Sequence, residues 1–196
     1  MDSTSIGMTV ALVILVAMSA YFSATETAFT SLNRIRLKSR ADNGDQRAAR
    51  ALALAEDYDK LLSTILIGNN IVNIAMASLA TALFVKSFGD AGATLSTIVV
   101  TVVVLIFGEI SPKSIAKDCA ENWAMTAAPF LRCLIWLLMP LNALFSLWKR
   151  LLNKVFHFAQ EEGITEEELM TMVSEAENEG GLDEHESQLI RAAIEF

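Results

Sequence analysis

Three stretches of this chain, Ile6 to Leu32, Leu61 to Val85, and Ala91 to Gly108 with continuation beyond, are long and apolar enough to cross a bilayer, which takes roughly 20 such residues. Hydrocarbon offers no partner for backbone N–H and C=O groups, so a spanning segment must satisfy them within itself, as a helix does. Composition agrees: 53% of the 196 residues are hydrophobic and 19% are charged, more apolar surface than one small soluble core can bury. The first stretch is uncharged from Ser3 to Thr25, too long for a cleaved secretory signal, and is expected to be retained as a span. The fold expected is all-α and polytopic, with three transmembrane helices.

The second and third stretches are joined by a tight polar turn, Lys86 to Asp90, which predicts a helical hairpin. Arg34, Arg36, Lys38, Arg40, Arg47 and Arg50 crowd the connection between the first two, whereas only Asp2 precedes the first. Cations concentrate on the cytoplasmic side, so the N-terminus is expected outside and the C-terminus in the cytoplasm of a cell-membrane protein. A fourth apolar stretch, Trp123 to Trp148, is interrupted by Arg132 and Pro140 and followed by Lys149, Arg150 and Lys154. One complete crossing would leave those cations outside. A bent interfacial belt with Trp123, Trp136 and Trp148 as anchors is therefore expected, a fourth span being the alternative.

Charge divides the chain. Residues 1–160 hold 11 acidic and 14 basic residues, whereas the rest holds 12 acidic and one basic. The expected organisation is a transmembrane module with its belt over 1–158 and a cytoplasmic acidic helical bundle over 159–196. An acidic tail excludes nucleic acid as a partner. Thr165 and Glu168 have capping-box spacing before Leu169, Met172, Val173 and Ala176, and a second amphipathic helix is expected from near Asp183. Cys119 and Cys133 have no metal-ligand spacing. His157 and His185 stand alone, and no nucleophile and base pair at a recognisable spacing, so an enzyme is not expected.

Ionisable groups at membrane depth carry a cost that a partner or a function must offset. Two carboxylates, Glu26 and Glu109, fall within the spans. Ser23, Glu26 and Thr27 share one face of the first helix at i, i+3 and i+4. Asn69 and Asn73 are i, i+4 on the second, with Asn70 beside them, and the third carries Gly108-Glu109-Ile110-Ser111-Pro112-Lys113. Hydroxyls and amides also bond helices together in membranes, and Glu26 could reach the region of Arg34 and Arg36. Glu109 resists so plain a reading. Pro112 has no N–H, so the Gly108 carbonyl loses its α-helical partner beside a carboxylate. Hydroxyl, amide oxygen, carboxylate and carbonyl form an all-oxygen set suited to a hard cation such as Mg2+ or Na+.

These three clusters, with Ser23-Ala24-Thr25-Glu26-Thr27 first and the Gly-Glu-x-x-Pro-Lys element at 108–113 last, resemble the transmembrane module of the CorC/CNNM (cyclin M) magnesium transporters. The tail from Ile164-Thr165-Glu166-Glu167-Glu168 resembles the acidic helical bundle of that family. The resemblance implies a homodimeric carrier in the lipid bilayer, exporting Mg2+ in exchange for Na+ and holding a partly dehydrated ion between helices. It implies ligand roles for Ser23, Asn73 and Glu109, with Asn69 and Glu26 behind them or serving Na+. Joined with the residue chemistry, the expected metal site is Ser23, Asn69, Asn73, Glu109 and the Gly108 carbonyl, with Glu26, Thr27, Asn70 and Ser111 around it or serving Na+ and Pro112 breaking the helix. Family members continue into a paired CBS module that binds ATP. The chain is expected to stop short of it, so no ATP binding is expected here. A non-transporting membrane sensor of divalent cations is the competing expectation.

Overall fold

Every regular element among the residues described by the computed structural model, 3–156, 166–178, 181 and 183–194, is helical. They form two compact units, Met1–Leu147 and Trp148–Phe196.

In the first unit α1 (Ser3–Ser31) and α4 (Tyr58–Phe88) have 29 and 31 residues, about 43 and 46 Å at the α-helical rise. Both are long and apolar enough to cross a membrane, α4 as the start of a helical run to Asp118. That run cannot be straight. A 3₁₀ turn, Gly89–Ala91, reverses it with Gly89 at φ +62°, a conformation glycine adopts without steric cost. The following helix, α5 (Gly92–Val103), packs back on α4. A Cβ at Gly92 would lie 2.4 Å from the Phe84 carbonyl oxygen, so only glycine permits this approach. Thr81 and Ser96 hydroxyls meet across the hairpin at 3.4 Å. After α5 the chain makes a π-helical segment, Val104–Ile110, before α6 (Ser111–Asp118). Ile71, Ile74, Ile98, Val102 and Phe107 point outward, as residues facing lipid must.

The connection between α1 and α4 forms two short helices, α2 (Arg34–Asp42) and α3 (Gln46–Glu56). Asn33 caps the first by accepting from the Arg36 N–H at 3.0 Å. Asp45 caps the second, accepting from Arg47 N–H at 2.9 Å and Ala48 N–H at 3.3 Å. These bonds, the Ala48 amide foremost, hold the Asp45 carboxyl below its ordinary 3.8. Ala48, Ala51 and Ala55 line one buried face of α3, which packs on α7 (Ala120–Leu137), where Ala124, Ala127 and Ala128 are also buried. The small-residue run on α7 thus packs inside the chain.

The fourth apolar stretch is not one straight helix. It breaks at Leu138, and Met139–Phe145, the start of α8 (Met139–Phe156), leaves α7 at 73°. Pro140 lies in the first turn of α8, where its missing N–H breaks no helical bond, and buried Asn142 donates to Thr64 Oγ1 on α4 at 2.8 Å. Trp136 is exposed, whereas Trp123 turns inward: its indole N–H donates to buried Thr25 at 3.1 Å, and its ring lies against Tyr21. Both cysteines are free thiols, Cys133 on an exposed face.

In the second unit α9 (Glu166–Asn178) packs on α10 (Glu184–Ile194). Asp183 and Glu186 form a reciprocal capping box, each side chain accepting from the other's backbone N–H at 2.8 and 3.0 Å. The cap expected at Thr165 lies outside the described residues.

Candidate cation site

The polar residues of the spans meet where α1 packs against α4 and the π segment. Ser19 is at the centre and fully buried. Its hydroxyl donates to Asn73 Oδ1 at 2.8 Å and approaches Asn69 Oδ1 at 3.4 Å. One hydroxyl proton cannot serve two amide oxygens fully. Ser19 also lies against Gly108, where a Cβ would come within 3.2 Å of its Oγ. Gly68 brings α4 close to α1 in a similar way, since a Cβ there would strike the Phe22 ring at 2.7 Å.

One turn along α1, Ser23 is 1% exposed and its Oγ has no hydrogen-bond partner among the described residues. A buried hydroxyl is nearly always bonded, so this one marks a place where a partner can enter. Glu109 follows Gly108 on the π segment. It is half-buried and makes no ion pair or hydrogen bond among the described residues.

The π register adds a backbone oxygen. The Ser111 N–H bonds to the Ile106 carbonyl, five residues back. Continued in that register, residue 112 would serve the Phe107 carbonyl; in α register it would serve Gly108. Proline has no N–H, so in either register one carbonyl just before Glu109, Phe107 or Gly108, goes without its helical donor from residue 112. Sequence reasoning expected the loss at Gly108, in α register, and did not anticipate the π turn.

Glu26 does not reach Arg34 or Arg36. Its carboxylate pairs with Lys113 on α6 at 3.5 Å, with side chains 26% and 43% exposed, while Arg36 pairs with Glu121 on α7. Thr27 and Pro112 are half-buried; Asn70 and Ser111 are exposed, away from the buried centre. Ser19 was absent from the expected set. Its signal is spacing: Ser19, Ser23 and Glu26 fall at i, i+4 and i+7, one stripe along α1.

The seam is therefore rich in acceptors and poor in donors: two amide oxygens converge on one Ser19 hydroxyl, the Ser23 hydroxyl is unpaired, and Glu109 is the residue after Gly108, which abuts Ser19. No three His, Cys, Asp or Glu side chains cluster among the described residues.

Residues 10–186 match the family model described as the cyclin M transmembrane N-terminal domain. The chain belongs to this family. Among relatives of the cyclin M domain, a UPF0053 protein of Haemophilus influenzae is 36% identical over 97% of this chain and 46% of its own length. The UPF0053 inner membrane protein YfjD of Escherichia coli is 38% identical over 83% of this chain and 39% of its own. A Haemophilus influenzae relative called a polyamine export protein is 24% identical, over 92% and 45%. The chain thus spans less than half the length of these relatives. The cyclin M domain here is a membrane domain, as its apolar spans require.

Proposed function

We propose that this domain carries Mg2+ across the cell membrane, in the direction of efflux and coupled to Na+. The observation that carries the reading is the excess of acceptors at the seam: Asn69 and Asn73 oxygens converge on one Ser19 hydroxyl while Ser23 and Glu109 have no partner. A small hard cation supplies the missing positive charge, and oxygen ligands suit it. Ser23, Asn69, Asn73, Glu109 and the Gly108 carbonyl are the proposed ligands, Glu109 being the one that brings formal charge. The ion would keep part of its water, since Mg2+ dehydrates reluctantly. A cation site beside a π segment fits the pattern by which broken membrane helices direct carbonyls into a site. The cation distribution supports an N-terminus outside and α2–α3 in the cytoplasm, so cysteines placed at positions 40 and 86 should label from opposite sides of sealed vesicles.

A second cargo has one observation in its favour. The Lys113 ammonium pairs with the Glu26 carboxylate, and an organic polyamine displacing it would be held by the same pairing. Proteoliposomes containing this chain separate the readings. Mg2+ flux that polyamine does not displace supports the proposal, polyamine flux without Mg2+ flux moves the assignment to the second cargo, and Mg2+ binding without flux of either makes the domain a sensor.

A further inference from the structure

The proposed ligand set makes no use of Lys113, yet Lys113 is bonded to the same stripe of α1 that carries Ser19 and Ser23. It lies four residues after Glu109, one helical turn on, and its ammonium is 3.5 Å from Glu26, itself three residues after Ser23. Glu26, Glu109 and Lys113 together leave a net charge of −1; with Lys113 removed the charge is −2. Resting on the Mg2+ reading above, we propose that Lys113 is a tethered cation that sets the valence the site prefers. Held on Glu26, it leaves a charge that one Na+ neutralises, and it opposes the second charge of Mg2+.

The argument is electrostatic. A fixed positive charge repels a divalent ion with twice the energy it exerts on a monovalent ion at the same place. Its removal must therefore raise Mg2+ affinity by the square of the factor by which it raises Na+ affinity. A carrier needs such a term, because a site that only attracts Mg2+ does not release it. When Lys113 is seated on Glu26, exchange of Mg2+ for Na+ is favoured; when it is drawn away, Mg2+ is retained.

The test is titration of Mg2+ and Na+ into the full chain in lipid nanodiscs, comparing the parent with Lys113→Gln. The expected gain is roughly threefold for Na+ and about tenfold for Mg2+, with slower Mg2+ release in flux assays. Lys113→Arg, which keeps the charge, should behave as the parent. Glu26→Gln should shift both affinities the other way, again more for Mg2+, and Glu26→Gln with Lys113→Gln should return near the parent ratio because net charge is restored. Equal changes for the two ions, or a loss of both in Lys113→Gln, would make Lys113 a structural pin and overturn this inference alone. A parent that binds no Mg2+ would overturn the cargo reading and this inference with it.

Discussion

The segment from Glu161 onward holds 12 acidic residues, whereas the polar stretches of the spans in the first unit hold two carboxylates, Glu26 and Glu109. In the helical pair α9–α10 polar groups satisfy one another. Glu177 accepts from the Ser187 hydroxyl at 2.7 Å and from Arg191 at 3.1 Å, and Arg191 also donates to Ser174 at 3.0 Å. At the seam the reverse holds: Ser23 and Glu109 have no partner among the described residues, and Asn69 and Asn73 share one donor. On the proposed assignment, the number of carboxylates is a poor guide to a cation site. What matters is acceptor capacity that folding leaves unmet in a place water reaches poorly.

The difference can be broken most severely by filling the seam. Gly108→Val would drive branched carbons into Ser19, which a single Cβ already approaches to 3.2 Å. Overpacking of this kind costs about 1–3 kcal/mol. It should lower the melting temperature and remove cation binding together. At Gly181 in the second unit a Cβ meets only the Ala176 carbonyl at 3.4 Å, an ordinary contact. Gly181→Ala should leave cation binding unchanged in the same assay.

Ser19 and Ser23 sharpen the comparison within the seam. Ser19→Ala removes the hydroxyl that bridges α1 to α4, and a membrane hydrogen bond of this kind averages about 0.6 kcal/mol. Ser23→Ala removes a hydroxyl with no partner, so thermal unfolding should show little loss or a small gain. Cation titration should show weaker binding. Stability and binding therefore respond oppositely to substitutions one turn apart, and equal stability losses would mean that Ser23 is bonded.

Effects in the tail are smaller. Glu177→Gln weakens two charge-assisted hydrogen bonds on a partly exposed side chain, and solvent screening limits the cost to about 1 kcal/mol or less. Hydrogen exchange should report faster opening of α10 with Mg2+ flux unchanged. Smallest of all is the response of the tail to the kind of ion. Mg2+ should protect it from proteolysis somewhat more than Na+ at matched ionic strength, because divalent ions both screen and bridge its carboxylates; equal protection would make the tail a merely solvated acidic face.

Much of this was legible in the sequence. The spans, the hairpin turn and the bend near Pro140 follow from apolar length and from turn and proline chemistry, all of which act locally. Glu109 and the two asparagines stand out in the sequence because polar groups at membrane depth are costly, and Pro112 stands out for its missing N–H; their role in a cation site is the proposal. Ser19 stands out less, because a serine between Met18 and Ala20 costs little in a helix, although its spacing to Ser23 and Glu26 places it on the same stripe. The π segment left no signal before Pro112, since α and π registers suit the same apolar residues. The pairing of Glu26 with Lys113, and of Trp123 with Thr25, depends on how helices rotate against one another. That rotation is set by packing at Gly68 and Gly108 and by the alanine faces of α3 and α7, which no local pattern encodes.

Calorimetric titration of Mg2+ into the full chain and its Glu109→Gln variant tests the central claim most directly, because the substitution keeps size and removes only charge. Neutral oxygens from Ser23, Asn69 and Asn73 could orient the ion but could not offset the loss of its tightly held water. The parent should bind Mg2+, and Glu109→Gln should show no measurable heat and no flux while remaining folded and inserted. Parent-like Mg2+ binding by folded Glu109→Gln would contradict the account and place the charge of the site elsewhere.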